Sequence, residues 1–175
     1  QDYVPVPLEE RGYYYNWVAV MKGSEMSNTN PSNVQGICPT DWHVPSRAEW
    51  VQLNNYLSSN SEYWCGDDPE NVAKALSAAT GRWGGGSGCH VGDLTGNNST
   101  QFTAFPTYSD LNLGGHCARF WTSMQNEGGD ACYYLLAQNK STLMRSYANI
   151  GSAYSVRCVK NVTGSAAQTP PSVTT

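Results

Sequence analysis

The chain has 175 residues, a length typical of one domain, and its 39% hydrophobic content is sufficient for a core. Charged residues make up only 14%, with 10 basic against 14 acidic side chains and a net charge of -4. Nucleic acids and anionic membrane surfaces are bound by clustered Lys and Arg, so this composition argues against both partners. No apolar run approaches the length of a membrane span.

The N-terminal part of the sequence predicts an extended arm followed by a short helix. Residues 1–11 carry Pro5 and Pro7 between apolar side chains, a pattern typical of extended chain. Asn16 has the side chain that a helix N-cap requires, and Gly23 suits the left-handed backbone that ends a helix. We therefore expect an arm over 1–11 and a helix between Asn16 and Gly23.

A capping box predicts the start of a second helix. Ser46 and Glu49 have the spacing at which a hydroxyl and a carboxylate satisfy each other's backbone donors. The apolar residues that follow share one helical face; they are Trp50, Leu53 and Leu57. This face is predicted to pack on the core.

A third helix is predicted between Asp68, as cap, and Gly81. Pro69 suits its first position, and its buried face is expected to hold Val72, Ala75 and Leu76. The glycine-rich stretch 84–88 lacks the Gly-Lys-Ser/Thr ending of a phosphate loop and is predicted to be a surface loop.

The second half of the chain predicts short antiparallel strands. Apolar and alternating runs occur over 102–106, 119–123, 131–137, 143–147 and 154–159. Helices first and strands afterwards indicate an α+β fold, with one domain over 12–161. Residues 162–175 are uncharged and rich in Ser, Thr and Pro, which predicts a linker or a docking tail.

The cysteines predict disulfides. No Cys-x-x-Cys pair is present, and the even number favours three bridges in an oxidising compartment; the six are Cys38, Cys65, Cys89, Cys117, Cys132 and Cys158. We therefore expect an extracellular or cell-surface protein. Six cysteines allow 15 pairings, and their spacing does not choose among them.

Several sequence stretches together resemble one family. They are Tyr15-Asn16-Trp17, Gly36-Ile37-Cys38-Pro39, Trp42-His43-Val44-Pro45-Ser46 with Ala48-Glu49-Trp50, Phe102-Thr103-Ala104-Phe105-Pro106, Phe120-Trp121-Thr122-Ser123 and Tyr154-Ser155-Val156-Arg157-Cys158-Val159-Lys160. Their order and spacing, over roughly residues 12–160, resemble the Fibrobacter succinogenes major paralogous domain, a secreted bacterial module.

The resemblance implies a C-type-lectin-like single domain, with two short helices packed on twisted antiparallel sheets. It is distantly similar to the formylglycine-generating sulfatase modifiers. The three disulfides that it implies are Cys38 with Cys158, Cys65 with Cys89, and Cys117 with Cys132. Family members usually carry a Trp-Met-x-Glu-Asn-Leu type stretch before the position of Tyr15, and this chain lacks it. An unfilled sheet edge permits strand exchange between subunits.

No catalytic residue and no cofactor is predicted. A nucleophilic pair of Cys38 with His43 needs a free thiolate, which a disulfide removes, so His43 is expected to orient the adjacent helix cap. The cysteine pair of the sulfatase modifiers has no counterpart, and the chain is predicted not to be an enzyme. Calcium-binding lectin motifs are absent and no metal ligand is predicted; a structural calcium ion near Asp93, Asn97 or Asp110 is the alternative.

The late segment predicts a ligand-binding surface, because it mixes Tyr with adaptable polar groups. The predicted contact residues are Gln125, Asn126, Glu127, Tyr133, Gln138, Asn139, Arg145, Tyr147 and Asn149. We expect a secreted lectin-like adhesion module of a bacterial cell surface or appendage that recognises a glycan or a protein through its late loops. The alternative is a structural subunit of an extracellular filament or pilus, assembled from identical subunits by strand or tail exchange.

Overall fold

A four-stranded antiparallel sheet and a separate two-stranded sheet organise the molecule. The computed structural model describes residues 12–106, 108–110 and 115–162, so the predicted arm and nearly all of the predicted tail lie outside it. The helices are α1 (Trp17–Met21), α2 (Arg47–Ser58) and α3 (Ala73–Leu76), with 3-10 turns at Ser61–Tyr63 and Gly81–Trp83. The strands are β1 (Trp42–His43), β2 (Tyr108–Asp110), β3 (Gly115–Gln125), β4 (Ala131–Ala137), β5 (Met144–Ala148) and β6 (Val159–Lys160).

The larger sheet has the strand order β2-β3-β4-β5, and β1 pairs with β6 in the smaller one. The predicted α+β class and antiparallel pairing are therefore confirmed. None of the helices in the described ranges has the length and apolarity needed to cross a membrane.

The core lies on both faces of the larger sheet. Every residue of β4 is buried. Its even-numbered residues Cys132, Tyr134 and Leu136 belong to a cluster with Trp50 and Leu57 of α2. Its odd-numbered residues Ala131, Tyr133 and Leu135 belong to a second cluster with Trp17, Val20 and Met21 of α1. A strand covered on both sides has no polar face, which explains why β4 is an uninterrupted apolar run.

The first two predicted helices are confirmed together with their caps. Asn16 Oδ1 accepts a hydrogen bond from Ala19 N at 2.8 Å at the start of α1. Ser46 Oγ accepts from Glu49 N at 3.1 Å, and Glu49 Oε2 accepts from Ser46 N at 2.9 Å, which is the predicted capping box. The buried ring of Trp50 stacks on Tyr134 of β4, with centroids 5.0 Å apart.

The bounds predicted for the third helix, Asp68 to Gly81, were wrong, whereas Val72, Ala75 and Leu76 are buried as predicted. Asp68 Oδ1 accepts from Glu70 N in a local turn instead of capping a helix, and α3 spans only one turn. Beyond it, Ala78 N donates to the carbonyl of Ala104, which holds the chain extended. The predicted strand 102–106 was also wrong, because Ala104 forms only an isolated bridge to Ser77.

The later strand predictions hold in part. The strand predicted over 131–137 is β4, the one over 119–123 lies within β3, and the one over 143–147 is displaced by one residue in β5. The predicted continuous strand 154–159 was wrong. Tyr154 bridges Tyr15, Ser155 bridges Phe120 of the larger sheet, and the chain then crosses to the smaller sheet as β6.

Two of the three implied disulfides are present. Cys38 bonds to Cys158 and Cys65 bonds to Cys89. The implied bridge between Cys117 and Cys132 was wrong: Cys117 lies opposite Ala137, five positions along β4 from Cys132 and so roughly 17 Å away. A disulfide requires Cα atoms within about 7 Å. Burial raises the pKa of the Cys132 thiol, which keeps it protonated and unreactive.

The two disulfides are expected to differ in their contribution to the free energy of unfolding. Their sequence separations are 120 residues for Cys38–Cys158 and 24 for Cys65–Cys89. Chain-entropy arguments assign them about 5 and about 3.5 kcal/mol. Urea denaturation of the two Cys→Ser double variants should therefore show the larger loss for Cys38 and Cys158. Equal losses, or a Cys117–Cys132 peptide in non-reducing peptide mapping, would contradict this arrangement.

Candidate functional site

A partly enclosed cleft lies beside α2. We call it the α2 cleft, and its cavity volume is about 410 Å³. Its walls come from α2, from the segment before it, from the loop at Phe102 and from the last strand. The lining residues are Pro45, Glu49, Trp50, Gln52, Leu53, Tyr56, Phe102, Arg157 and Val159.

Aromatic packing builds the interior of the α2 cleft. Trp50 is 3% exposed and touches Phe102 edge to face, with centroids 5.9 Å apart. Behind it, Phe120 and Tyr134 of the sheet stack on the same indole. The Trp50 Nε1 group is buried without a hydrogen-bond partner in the described part of the chain. At the rim, Tyr56 is 56% exposed, so the cleft passes from a fixed interior to an open edge.

Arg157 gives the α2 cleft its positive charge. Its guanidinium carbon lies 4.4 Å from the centroid of the Phe102 ring, and its Nη2 donates to the Phe102 carbonyl at 2.7 Å. Burial lowers the pKa of Arg157, although an arginine remains a cation at neutral pH. The two ion pairs found among the described residues, Lys74 with Asp93 and His43 with Glu49, do not include it. Within the described ranges, the Arg157 guanidinium therefore has a hydrogen bond and a ring contact, but no carboxylate partner.

A polar network closes the end of the α2 cleft near the helix N-terminus. His43 Nε2 lies 2.6 Å from Glu49 Oε1, and His43 Nδ1 lies 2.6 Å from Asn161 Oδ1. The second Glu49 oxygen accepts from the backbone N–H groups of Ser32 and Ser46. His43 therefore lies beside the helix cap, as predicted, and links β1, α2 and the chain after β6.

Part of the predicted ligand surface lies at the β3–β4 hairpin end of the sheet. Gln125 pairs with Ala131, and Ala131 pairs with Ala148, so the turn at 126–130 and Asn149 share this end. Their side chains shape their own turns: Gln125 Nε2 donates to the Gly129 carbonyl, Asn126 Oδ1 accepts from Asp130 N, and Asn149 Oδ1 accepts from Gly151 N. Glu127 and Asn149 are exposed.

The remaining predicted contact residues are not part of that surface. Gln138 and Asn139 lie beyond the other end of β4, which has seven residues, so the two groups are roughly 20 Å apart. Gln138 Nε2 donates to the Gly85 carbonyl at 2.7 Å and thereby holds the glycine-rich loop. Tyr133 is 9% exposed in the second core cluster, Tyr147 is half-buried against the first, and Arg145 is exposed on β5.

Two of the residues named for a structural calcium ion, Asp93 and Asn97, have other partners in the fold. Asp93 Oδ1 accepts a hydrogen bond from Thr95 N and lies 3.5 Å from the buried Lys74 ammonium. The hydrogen bonds from Thr95, and then the Lys74 charge, lower the pKa of Asp93. Asn97 donates its amide to the carbonyls of Ala78 and Val91. Across the described ranges, no three His, Cys, Asp or Glu side chains cluster as metal ligands do.

The sequence motifs form a framework around β3. Trp121 Nε1 donates to the Tyr15 carbonyl at 2.8 Å, and Trp17 Nε1 donates to the Thr122 carbonyl at 2.7 Å. Tyr15 and Tyr154 exchange two backbone hydrogen bonds. Gly36 lies directly against the Val20 carbonyl with a positive φ of 52°, where a Cβ atom would collide.

This framework matches a known family. A family profile described as the Fibrobacter succinogenes major domain matches residues 3–160. The chain belongs to the Fibrobacter succinogenes major domain family. Comparisons with curated proteins and with solved structures find no significant match. The family resemblance is thus confirmed, whereas the C-type-lectin-like fold and the similarity to sulfatase modifiers stay predictions.

In this member of the Fibrobacter succinogenes major domain family, sequence reasoning missed the α2 cleft. Gln52 and Tyr56 are one turn apart on α2, on either side of Leu53 in the sequence. This spacing was the sequence feature that could have indicated the cleft. Phe102 and Arg157 meet only through tertiary structure, because 55 residues separate them. The sequence offered no indication of that contact.

The Glu49 network is expected to stabilise the fold. Replacing Glu49 with Ala removes the acceptor of two backbone N–H groups and of His43. Each buried donor left unsatisfied costs about 1 to 3 kcal/mol, so we expect a loss of about 3 kcal/mol or more in urea denaturation. Glu62→Ala, at an exposed position of a 3-10 turn, is the matched control and should change stability by under about 0.5 kcal/mol. Similar losses in both variants would refute this role.

Proposed function

We propose that this protein is a secreted binding module of a bacterial cell surface or appendage, and that its ligand occupies the α2 cleft. The cleft carries the proposal because it combines a fixed apolar interior with a few polar groups at its edge. Binding sites for small ligands and for single anchoring side chains typically have this composition and a volume of about 300 to 1,000 Å³.

The disulfides support an extracellular location for this module. Two bridges, one of them closing 120 residues, are typical of proteins that fold and act in oxidising compartments. The low charged fraction of 14% and the absence of a basic excess also suit a partner other than nucleic acid. The ligand is accordingly proposed to be a glycan or a surface protein.

The late loops form a second candidate contact surface of the same module. The turn at 126–130 and the turn after Asn149 lie at one end of a rigid sheet, and internal hydrogen bonds fix both. Exposed loops on a rigid scaffold are common places for recognition. Glu127 and Asn149 are the proposed contacts there, whereas the Tyr133 ring lies in the core.

Tyr56→Ala is expected to weaken binding to whichever ligand a glycan and surface-protein array identifies. The ring stands at the rim of the α2 cleft and is 56% exposed, so its removal takes away contact area without opening the core. Loss of a well-packed aromatic contact typically weakens binding about tenfold or more. Tyr13→Ala makes the same change at a 62% exposed tyrosine outside the cleft and should bind as the unmodified chain does. An array without any signal, or equal binding by both variants, would remove the proposal.

A structural subunit of a filament is the second candidate, and one feature favours it. β5 is at the edge of the larger sheet and pairs only with β4 among the described strands. An edge strand offers backbone groups to another chain, although the exposed Arg145, the second residue of β5, opposes close pairing. A filament subunit should increase in average mass with concentration in sedimentation velocity. A chain that sediments as a monomer over a hundredfold concentration range would contradict this candidate.

A further inference from the structure

We infer that the α2 cleft binds the C-terminal residue of a polypeptide, with the ligand carboxylate on Arg157 and an apolar side chain in the interior. This inference rests on the proposed binding function of the cleft and names the chemistry of its ligand. Three properties of the cleft lead to it: its unneutralised cation, its apolar lining and its continuation along α2.

The cation is the first property. The Arg157 side chain is partly buried against the Phe102 ring. No carboxylate lies within ion-pair distance of it in the described part of the chain. Glu49 also lines the cleft, but both of its oxygens are engaged by His43, Ser32 and Ser46. A guanidinium presents N–H donors in a planar fork that matches a carboxylate. The cleft is therefore complementary to a ligand with one negative end.

The apolar lining is the second property, and it separates a peptide from a sugar. Trp50, Leu53, Phe102 and Val159 supply carbon surface, and the uncharged polar groups of the lining are few. They are the Gln52 amide, the Tyr56 hydroxyl and the Trp50 Nε1 group. A sugar acid in this cleft would bury several hydroxyl groups with few partners, which is costly. An apolar side chain next to a terminal carboxylate leaves no such group unsatisfied.

The third property is a shallow hollow that extends the cleft along the outer surface of α2. It has a volume of about 530 Å³, shares Gln52 and Tyr56 with the cleft, and also touches Ala48, Val51, Asn55 and Ser59. α2 has 12 residues and is therefore about 18 Å long. An extended chain of about five residues covers that length. The hollow thus suits the residues that precede the terminal one. Gln52 is itself held at this place by Asn30, whose Nδ2 donates to Gln52 Oε1 at 2.6 Å.

The test is an array of six-residue peptides, each synthesised with a free C-terminal carboxylate and again as the C-terminal amide. The full chain is applied, and positive peptides are then measured by fluorescence anisotropy. We expect binding of peptides that end in Leu, Phe or Val, and binding of the acid about tenfold or more tightly than the amide, as for a charge-assisted hydrogen bond. Peptides that end in Ser or Asp should not bind.

Three variants assign the preference for the acid to Arg157. Arg157→Gln should bind acid and amide equally weakly, whereas Arg145→Gln, at an exposed arginine of β5, should keep the preference. Because Arg157 also packs on Phe102, Gln52→Glu provides a test with that contact intact. A negative charge at this exposed lining position should weaken binding of the acid several-fold more than binding of the amide.

Different experimental results would overturn this inference and the proposed function. Equal binding of acid and amide, no peptide binding, or a preference that survives in Arg157→Gln each overturns the inference. If glycans on the parallel array then bind and Tyr56→Ala abolishes their signal, the proposed function stands with another ligand. If neither array gives a signal that depends on Tyr56, both are overturned.

Discussion

Burial of β4 on both faces is the constraint on which the rest of the structure depends. All seven of its residues are buried, so the chain must place a layer on each side of the sheet. α1 and the segment that leads to Val44 cover one face, and α2 covers the other. Neither helix is long enough to be stable alone, and both gain their stability from this sheet. The α2 cleft lies beside this helix, between α2 and the residues Phe102, Arg157 and Val159.

Such short helices and strands need additional links to the rest of the fold. The chain forms them at the start of α2 and beside β6. The capping box of Ser46 and Glu49 starts the helix. His43 is hydrogen-bonded to the same Glu49 carboxylate through Nε2 and to Asn161 through Nδ1. The Cys38–Cys158 disulfide joins the two halves beside this network. Because these links meet near β1 and β6, the two-residue pairing of those strands is sufficient to close the fold.

Local signals explain which parts of this arrangement were predictable from the sequence. The capping box and the apolar run of β4 act over a few residues, and both were identified with nearly correct bounds. The third helix failed because Ala104, 26 residues after Ala78, competes for its backbone, which no local pattern reveals. The Cys117–Cys132 bridge failed because strand register placed the thiols apart. The α2 cleft was missed for the same reason, since its walls meet only in the folded chain.

The fixation of Arg157 links this framework to the proposed binding site. Two residues before it, Ser155 is hydrogen-bonded to Arg119 and Trp121 of β3. One residue after it, Cys158 is bonded to Cys38. The backbone is therefore held on both sides, and the Phe102 ring and carbonyl hold the guanidinium itself. A cation positioned before the ligand arrives loses little conformational entropy on binding. In the proposed mode of binding, the residues on either side of Arg157 thus contribute by holding this one side chain in place.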